Sequence, residues 1–134
     1  MRKIEHIGIA VKNLETSNLL FEKLFGVSPY KQEEVLSEGV KTSFFMIGPN
    51  KIELLEATNN ESPVAKFIEK KGEGIHHIAF DVKDIFLEMA RLKKEGFILL
   101  NEAPKKGADN KLVAFLHPKT TNGVLIELCQ EIEE

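Results

Sequence analysis

The chain has 134 residues, 43% hydrophobic and 29% charged, and its 18 basic and 21 acidic side chains give a net charge of −3. That is the make-up of one ordinary globular domain, and it excludes a general polyanion binder, because the paired lysines Lys70-Lys71, Lys93-Lys94 and Lys105-Lys106 sit among acids; no nucleic-acid partner is expected. A single cysteine excludes a disulfide framework and a cysteine-rich zinc site, and no apolar run approaches the roughly 18 residues of a membrane span, so a reducing, cytoplasmic location without a membrane partner is the expectation.

The start, Met1-Arg2-Lys3-Ile4-Glu5-His6, enters an alternating pattern at once, with no signal-peptide stretch expected. Ile7, Ile9 and Val11 take one face of a strand, and His6, Gly8 and Ala10 take the other. Asn13 then suits a helix N-cap, Leu20, Phe21 and Leu24 form an apolar stripe, and Gly26 is placed to end the helix. Strands are expected near residues 30–36, over 41–47 and over 51–55, with the turn Gly48-Pro49-Asn50 between the last two. Ser62-Pro63 opens a helix that runs to about Lys71, and Gly72-Glu73-Gly74 ends it. The alternating strand recurs at His77, then a helix capped by Asp84, lined by Ile85, Met89 and Leu92 and stopped by Gly96. Strands near 97–100, over 112–116 and over 124–129 complete the chain, and residues 131–134 read as a short solvated acidic tail.

This order is a duplication. His6-Ile7-Gly8-Ile9-Ala10-Val11-Lys12-Asn13-Leu14 lies over His77-Ile78-Ala79-Phe80-Asp81-Val82-Lys83-Asp84-Ile85, an offset of 71 residues. Gly26 lies over Gly96 and Phe44 over Phe115, and Ile52-Glu53-Leu54 meets Ile126-Glu127-Leu128 at an offset of 74. The fold expected is α+β, with two tandem βαβββ modules at about 1–58 and about 75–131 and a helical linker at about 59–74, forming one domain over 1–134.

The duplication also sorts the side chains that carry chemistry. Of four histidines, His6 and His77 are repeat-equivalent, and so are the carboxylates Glu53 and Glu127. Under pseudo-twofold symmetry these four converge near the local axis, on rigid strands. Two imidazoles and two carboxylates, with positions left for water or substrate, suit an octahedral divalent ion (Co²⁺, Ni²⁺, Mn²⁺ or Fe²⁺) better than tetrahedral zinc. A single histidine at a strand start is more often a hydrogen-bonded surface residue. A glutamate inside a strand between Ile and Leu is stranger, because burying a lone carboxylate is costly, and two equivalent pairs together favour a metal site. Gly8 and Ala79 leave room on the histidine faces, while Ile7, Ile9, Ile78 and Phe80 are expected under the helices. His76 points away from His77 and reads as structural, His117 either lines the cleft or ends a strand, and Cys129 reads as a small packing residue beside Glu127. Lys105, Lys106 and Lys111 surround Gly107 in a loop that is either a solvated turn or a phosphate grip.

These residues resemble the vicinal oxygen chelate (glyoxalase/bleomycin resistance/dioxygenase) superfamily and, within it, the methylmalonyl-CoA epimerase family. The stretches that carry the likeness are His6-Ile7-Gly8-Ile9-Ala10-Val11, Ile52-Glu53-Leu54-Leu55-Glu56, Ser62-Pro63-Val64-Ala65-Lys66-Phe67, Gly74-Ile75-His76-His77-Ile78-Ala79-Phe80, Phe115-Leu116-His117-Pro118-Lys119 and Gly123-Val124-Leu125-Ile126-Glu127-Leu128. The resemblance implies curved mixed sheets enclosing a metal-binding cleft, metal ligands at His6, Glu53, His77 and Glu127, a divalent ion (Co²⁺ first, with Ni²⁺, Mn²⁺, Fe²⁺, Mg²⁺ or Zn²⁺ also admitted), a CoA thioester substrate and a homodimer. It implies epimerisation at C2 of methylmalonyl-CoA, in propionate metabolism, by proton removal and re-delivery through a metal-stabilised enolate.

That chemistry needs an acid/base group on each face of C2, and Glu127 is the candidate for one of them. Where some family members carry a second glutamate this chain has Thr42, with Glu38 just upstream, so the second group stays unassigned between Glu53 and a group near His117. The loop Gly107-Ala108-Asp109-Asn110-Lys111 also departs from the family's Gly-Ala-His-Gly-Lys. Two alternatives remain: a glyoxalase-type lactoylglutathione lyase with nearly the same ligands, and a metal-free small-molecule binder of the same fold. Only Arg2 and Arg91 are available as arginines for glutathione carboxylates, and a binder has no reason to keep four ligands.

Overall fold

Asn13 and Asp84 decide where the two histidine-bearing strands give way to helices. The structure, a computed structural model, describes residues 1–133. Its first half runs β1 (Lys3–Ala10), α1 (Leu14–Phe25), β2 (Lys31–Val35), a 3₁₀ turn (Leu36–Glu38), β3 (Val40–Ile47), β4 (Asn50–Ala57) and α2 (Pro63–Lys71). The second half runs β5 (Gly74–Asp81), α3 (Ile85–Lys94), β6 (Lys105–Lys106), β7 (Lys111–Leu116), a 3₁₀ turn (Pro118–Thr120) and β8 (Ile126–Glu131). This is the α+β pattern of the duplicated sequence, and among the described residues no helix is long and apolar enough to cross a membrane.

Each main helix is started twice over. Asn13 Oδ1 accepts the Thr16 N–H at 2.9 Å and Asp84 Oδ1 accepts the Leu87 N–H at 3.1 Å, satisfying donors that a helix start leaves unpaired. A second acceptor comes from the last strand of each half: Leu14 N–H donates to Glu56 Oε1 at 2.6 Å, and Ile85 N–H donates to Gln130 Oε1 at 2.7 Å. Glu56 and Gln130 are again repeat-equivalent, at the offset of 74 that relates Glu53 to Glu127. At the other end of α1, Gly26 takes the left-handed conformation (φ 75°) and returns its N–H to Glu22 O, as its place after the helix predicts.

The chain divides into two compact units, His6–His76 and Met1–Glu5 with the residues from His77 onward. In the first, β1 pairs parallel with β4, β4 antiparallel with β3, and β3 antiparallel with β2. In the second, β5 pairs parallel with β8, β8 antiparallel with β7, and β7 antiparallel with β6. Met1–Glu5 belong to the second unit because Arg2 binds it through both main chain and side chain, its N–H donating to Asp81 O at 2.8 Å and its Nε to Asp81 Oδ2 at 2.7 Å.

The core of the first unit is layered. On one face Val11, Leu14, Phe45 and Leu54 close up with Ile9, Phe21 and Phe25 under α1, and on the other Ala10, Val40, Leu55 and Val64 close up with Phe67 and Ile68 under α2. In the second unit Val82, Ile85, Met89, Leu92, Ala114, Leu116 and Leu128 pack together under α3. Ile85, Met89 and Leu92 form the buried stripe expected of α3, but the stripe of α1 is displaced. Leu20 and Leu24 are 62% and 68% exposed, and Leu14, Phe21 and Phe25 face the sheet instead. Burying two aromatic rings against the sheet removes more apolar surface from water than burying two leucines.

The strand expected near 97–100 is also corrected. Only a bridge between Leu99 and Leu116 forms there, because Asn101 Oδ1 takes the Phe115 N–H at 2.9 Å in place of a strand carbonyl. Pro104, which has no N–H, follows, and regular pairing resumes at Lys105 and Lys106.

Candidate functional site

Parallel pairing of the first and last strand of a unit sets the site. It places Gly8 beside Glu53 and Ala79 beside Glu127, so that each carboxylate shares a sheet face with the histidine two residues before its small neighbour. In the first unit His6 Nε2 lies 3.2 Å from Glu53 Oε1, and in the second His77 Nε2 lies 2.9 Å from Glu127 Oε1. All four residues are buried, with relative exposures of 5% for His6, 4% for Glu53, 3% for His77 and 6% for Glu127.

The aromatic partner is duplicated as well. Phe44 stands across the ladder from Glu53 and presents its ring edge-on to His6, at 6.3 Å and 87°. Phe115 stands across from Glu127 and does the same to His77, at 6.1 Å and 85°. Each imidazole is thus fixed between a carboxylate and a ring. A buried carboxylate without a partner would cost several kcal/mol, of order 3–5, and the imidazole supplies that partner here. Each unit therefore offers one nitrogen and one anionic oxygen from rigid strands, a donor chemistry that fits a first-row divalent ion.

The remaining candidates fall elsewhere. His76 is half-buried, with its ring edge-on to Phe67 of α2 at 4.9 Å, a packing role. His117 ends β7 and caps the following 3₁₀ turn, its Nδ1 accepting the Lys119 N–H at 3.1 Å. Thr42 is buried, and its hydroxyl donates to Glu33 O at 3.2 Å, tying β3 to the edge strand. In the loop that departs from the family pattern, Asp109 and Asn110 both have φ of 56°. Asn tolerates that left-handed conformation better than most side chains, so Asn110 can stand where a glycine is usual. Its Nδ2 also donates to Ile132 O at 3.3 Å.

Cys129 is more than the packing residue expected from sequence. It is fully buried against Ala79 and Val113, and its Sγ donates to Glu127 Oε2 at 3.2 Å. The signal available in the sequence is the spacing, since residues two apart on a strand share a face. The caps from Glu56 and Gln130 were equally legible as an aligned polar pair, but nothing local marks a strand residue as a helix cap.

Residues 5–115 match the family described as the glyoxalase/bleomycin resistance protein/dioxygenase superfamily. The ethylmalonyl-CoA/methylmalonyl-CoA epimerase of Cereibacter sphaeroides is 39% identical over 130 residues, covering 96% of this chain and 97% of that protein. The mitochondrial methylmalonyl-CoA epimerase of Dictyostelium discoideum is 39% identical over 127 residues, covering 94% of this chain and 76% of that protein. A solved structure of a single-substitution variant of Streptomyces coelicolor methylmalonyl-CoA epimerase in complex with 2-nitronate-propionyl-CoA is 32% identical, with a TM-score of 0.95 and 99% of each chain covered.

Proposed function

The chain belongs to the glyoxalase/bleomycin resistance protein/dioxygenase superfamily and, within it, to the methylmalonyl-CoA epimerases, and we propose that it interconverts the two C2 epimers of methylmalonyl-CoA at a site formed by His6, Glu53, His77 and Glu127. One observation carries the reading: both units build the same buried His–Glu pair backed by an edge-on Phe, where a merely structural histidine would need no repeat. The four side chains would hold one divalent ion, with Co²⁺ the first choice for a mixed nitrogen and oxygen set. When bound, that ion supplies Lewis acidity toward the thioester oxygen and the substrate carboxylate.

The chain's own residues do the rest. Glu127 takes the C2 proton on one face, and a second acid/base group returns a proton on the other, because inversion requires transfer on both sides. The carboxylate of Glu127 is anchored on β8 and flanked by His77, so its orientation is set before substrate arrives. Phe44 and Phe115 exclude water around the imidazoles, which strengthens each polar contact there. A homodimer in the cytoplasm belongs to the same reading, and Cys129, as the one cysteine of the chain, suits a reducing compartment.

The test is exchange at C2 of methylmalonyl-CoA in D₂O, with protein reloaded with Co²⁺ beside a metal-stripped control. Metal-dependent deuterium uptake with loss of stereochemical purity is expected. Absence of exchange with the ion bound would overturn the substrate assignment.

A further inference from the structure

The two halves match at histidine, glutamate and phenylalanine, but not two residues beyond the glutamate. After Glu53 that place holds Leu55, buried with Ala10, Val40 and Val64 and unable to donate a hydrogen bond. After Glu127 it holds Cys129, whose Sγ lies 3.2 Å from Glu127 Oε2 while Oε1 faces His77 Nε2 at 2.9 Å. The thiol is fully buried on the neighbouring ladder row, between Asp81 of β5 and Val113 of β7. A carboxylate with an anchor on each oxygen has lost the freedom to rotate about its last bond. The difference between the halves falls on the glutamate to which proton transfer is assigned.

We propose that Cys129 is a positioning residue that fixes the carboxylate plane of Glu127 and keeps Oε1 beside His77 Nε2, as one of the oxygens that would hold the ion. This rests on the metal-dependent reading above. A ligand free to rotate binds its ion less well, and removing a hydrogen bond behind a metal ligand typically weakens binding or activity about 10–100-fold.

Two substitutions separate positioning from packing. Cys129→Val stays apolar, removes the donor and adds one heavy atom, whereas Cys129→Ser keeps a donor and loses volume. Co²⁺ titration of the purified protein, read by visible absorption, should show binding weakened at least about 10-fold in Cys129→Val and within about 3-fold of the parent in Cys129→Ser. In a packing role the ranking reverses, and Ser is the more damaging of the two. Equal Co²⁺ affinity in all three proteins, or recovery by Val and not by Ser, would overturn the inference.

A metal-free readout stands beside it. This chain has one cysteine, so its S–H stretching band in the infrared is unambiguous. That band should shift to higher frequency in Glu127→Ala, and an unchanged band would also overturn the inference. Parent protein that binds Co²⁺ but exchanges no C2 proton would sink the epimerase reading, while the affinity ranking and the S–H shift would stand.

Discussion

Removing the divalent ion proposed for the four-residue site should leave this protein folded but lower its melting temperature by about 10 °C. An ion that binds only the folded state stabilises by about 2.7 kcal/mol when present at a hundredfold excess over its dissociation constant. For 134 residues the entropy of unfolding is about 0.28 kcal/mol/K, so that free energy corresponds to about 10 °C. The fold should survive stripping because each buried carboxylate keeps its imidazole, at 3.2 Å for Glu53 and 2.9 Å for Glu127. Chelator-treated protein is melted in a calorimeter with rising Co²⁺, beside Glu53→Gln and Glu127→Gln. Each substitution replaces an anionic oxygen by a neutral amide of the same shape, so both should flatten the rise while the apo forms still unfold cooperatively. No rise with Co²⁺, Ni²⁺ or Mn²⁺, or a full rise in either variant, would refute the four-residue site.

The helix starts give a second test. Glu56→Ala and Gln130→Ala should each cost about 1 kcal/mol in urea unfolding, since they remove acceptors at 2.6 and 2.7 Å from the first residues of α1 and α3. Phe45→Ala should cost about 3–5 kcal/mol, because its ring is fully buried among Val11, Leu14 and Leu54. Leu20→Ser on the exposed side of α1 should stay within about 0.5 kcal/mol of the parent, which a comparison of the two midpoints checks. Glu88 titrates below the ordinary carboxylate range because the Arg91 guanidinium, and then the amino group of Met1 at 2.9 Å, hold it ionised. Its stabilisation is therefore complete above the ordinary glutamate value of about 4.3 and disappears as pH falls through the depressed one. Glu88→Gln should lose less than about 1 kcal/mol at pH 7, Arg91 being exposed, and should match the parent in acid. His76→Gln should retain most of the C2 exchange, since its ring packs against Phe67, and complete loss with release of the ion would show that His76 rather than His77 binds it.

Where local order and periodicity suffice, the primary structure is enough. Asn13, Ser62 and Asp84 start their helices because the cap is a contact between residues two or three apart. The offset of 71 residues identifies His6 with His77, and that of 74 identifies Glu53 with Glu127, because a repeated module repeats its chemistry along with its pattern. What period alone leaves open is which side chains compete for the same space. Leu20 and Leu24 are as apolar as Phe21 and Phe25, and only the sheet beneath α1 decides that the rings go in and the leucines stay out. The break after Leu100 likewise depends on Asn101 reaching Phe115, a residue on another strand. Cys129 is the sharpest case. Its spacing from Glu127 places both on one face, but whether a small buried thiol packs or donates is settled by a distance of 3.2 Å between side chains, which no local pattern encodes.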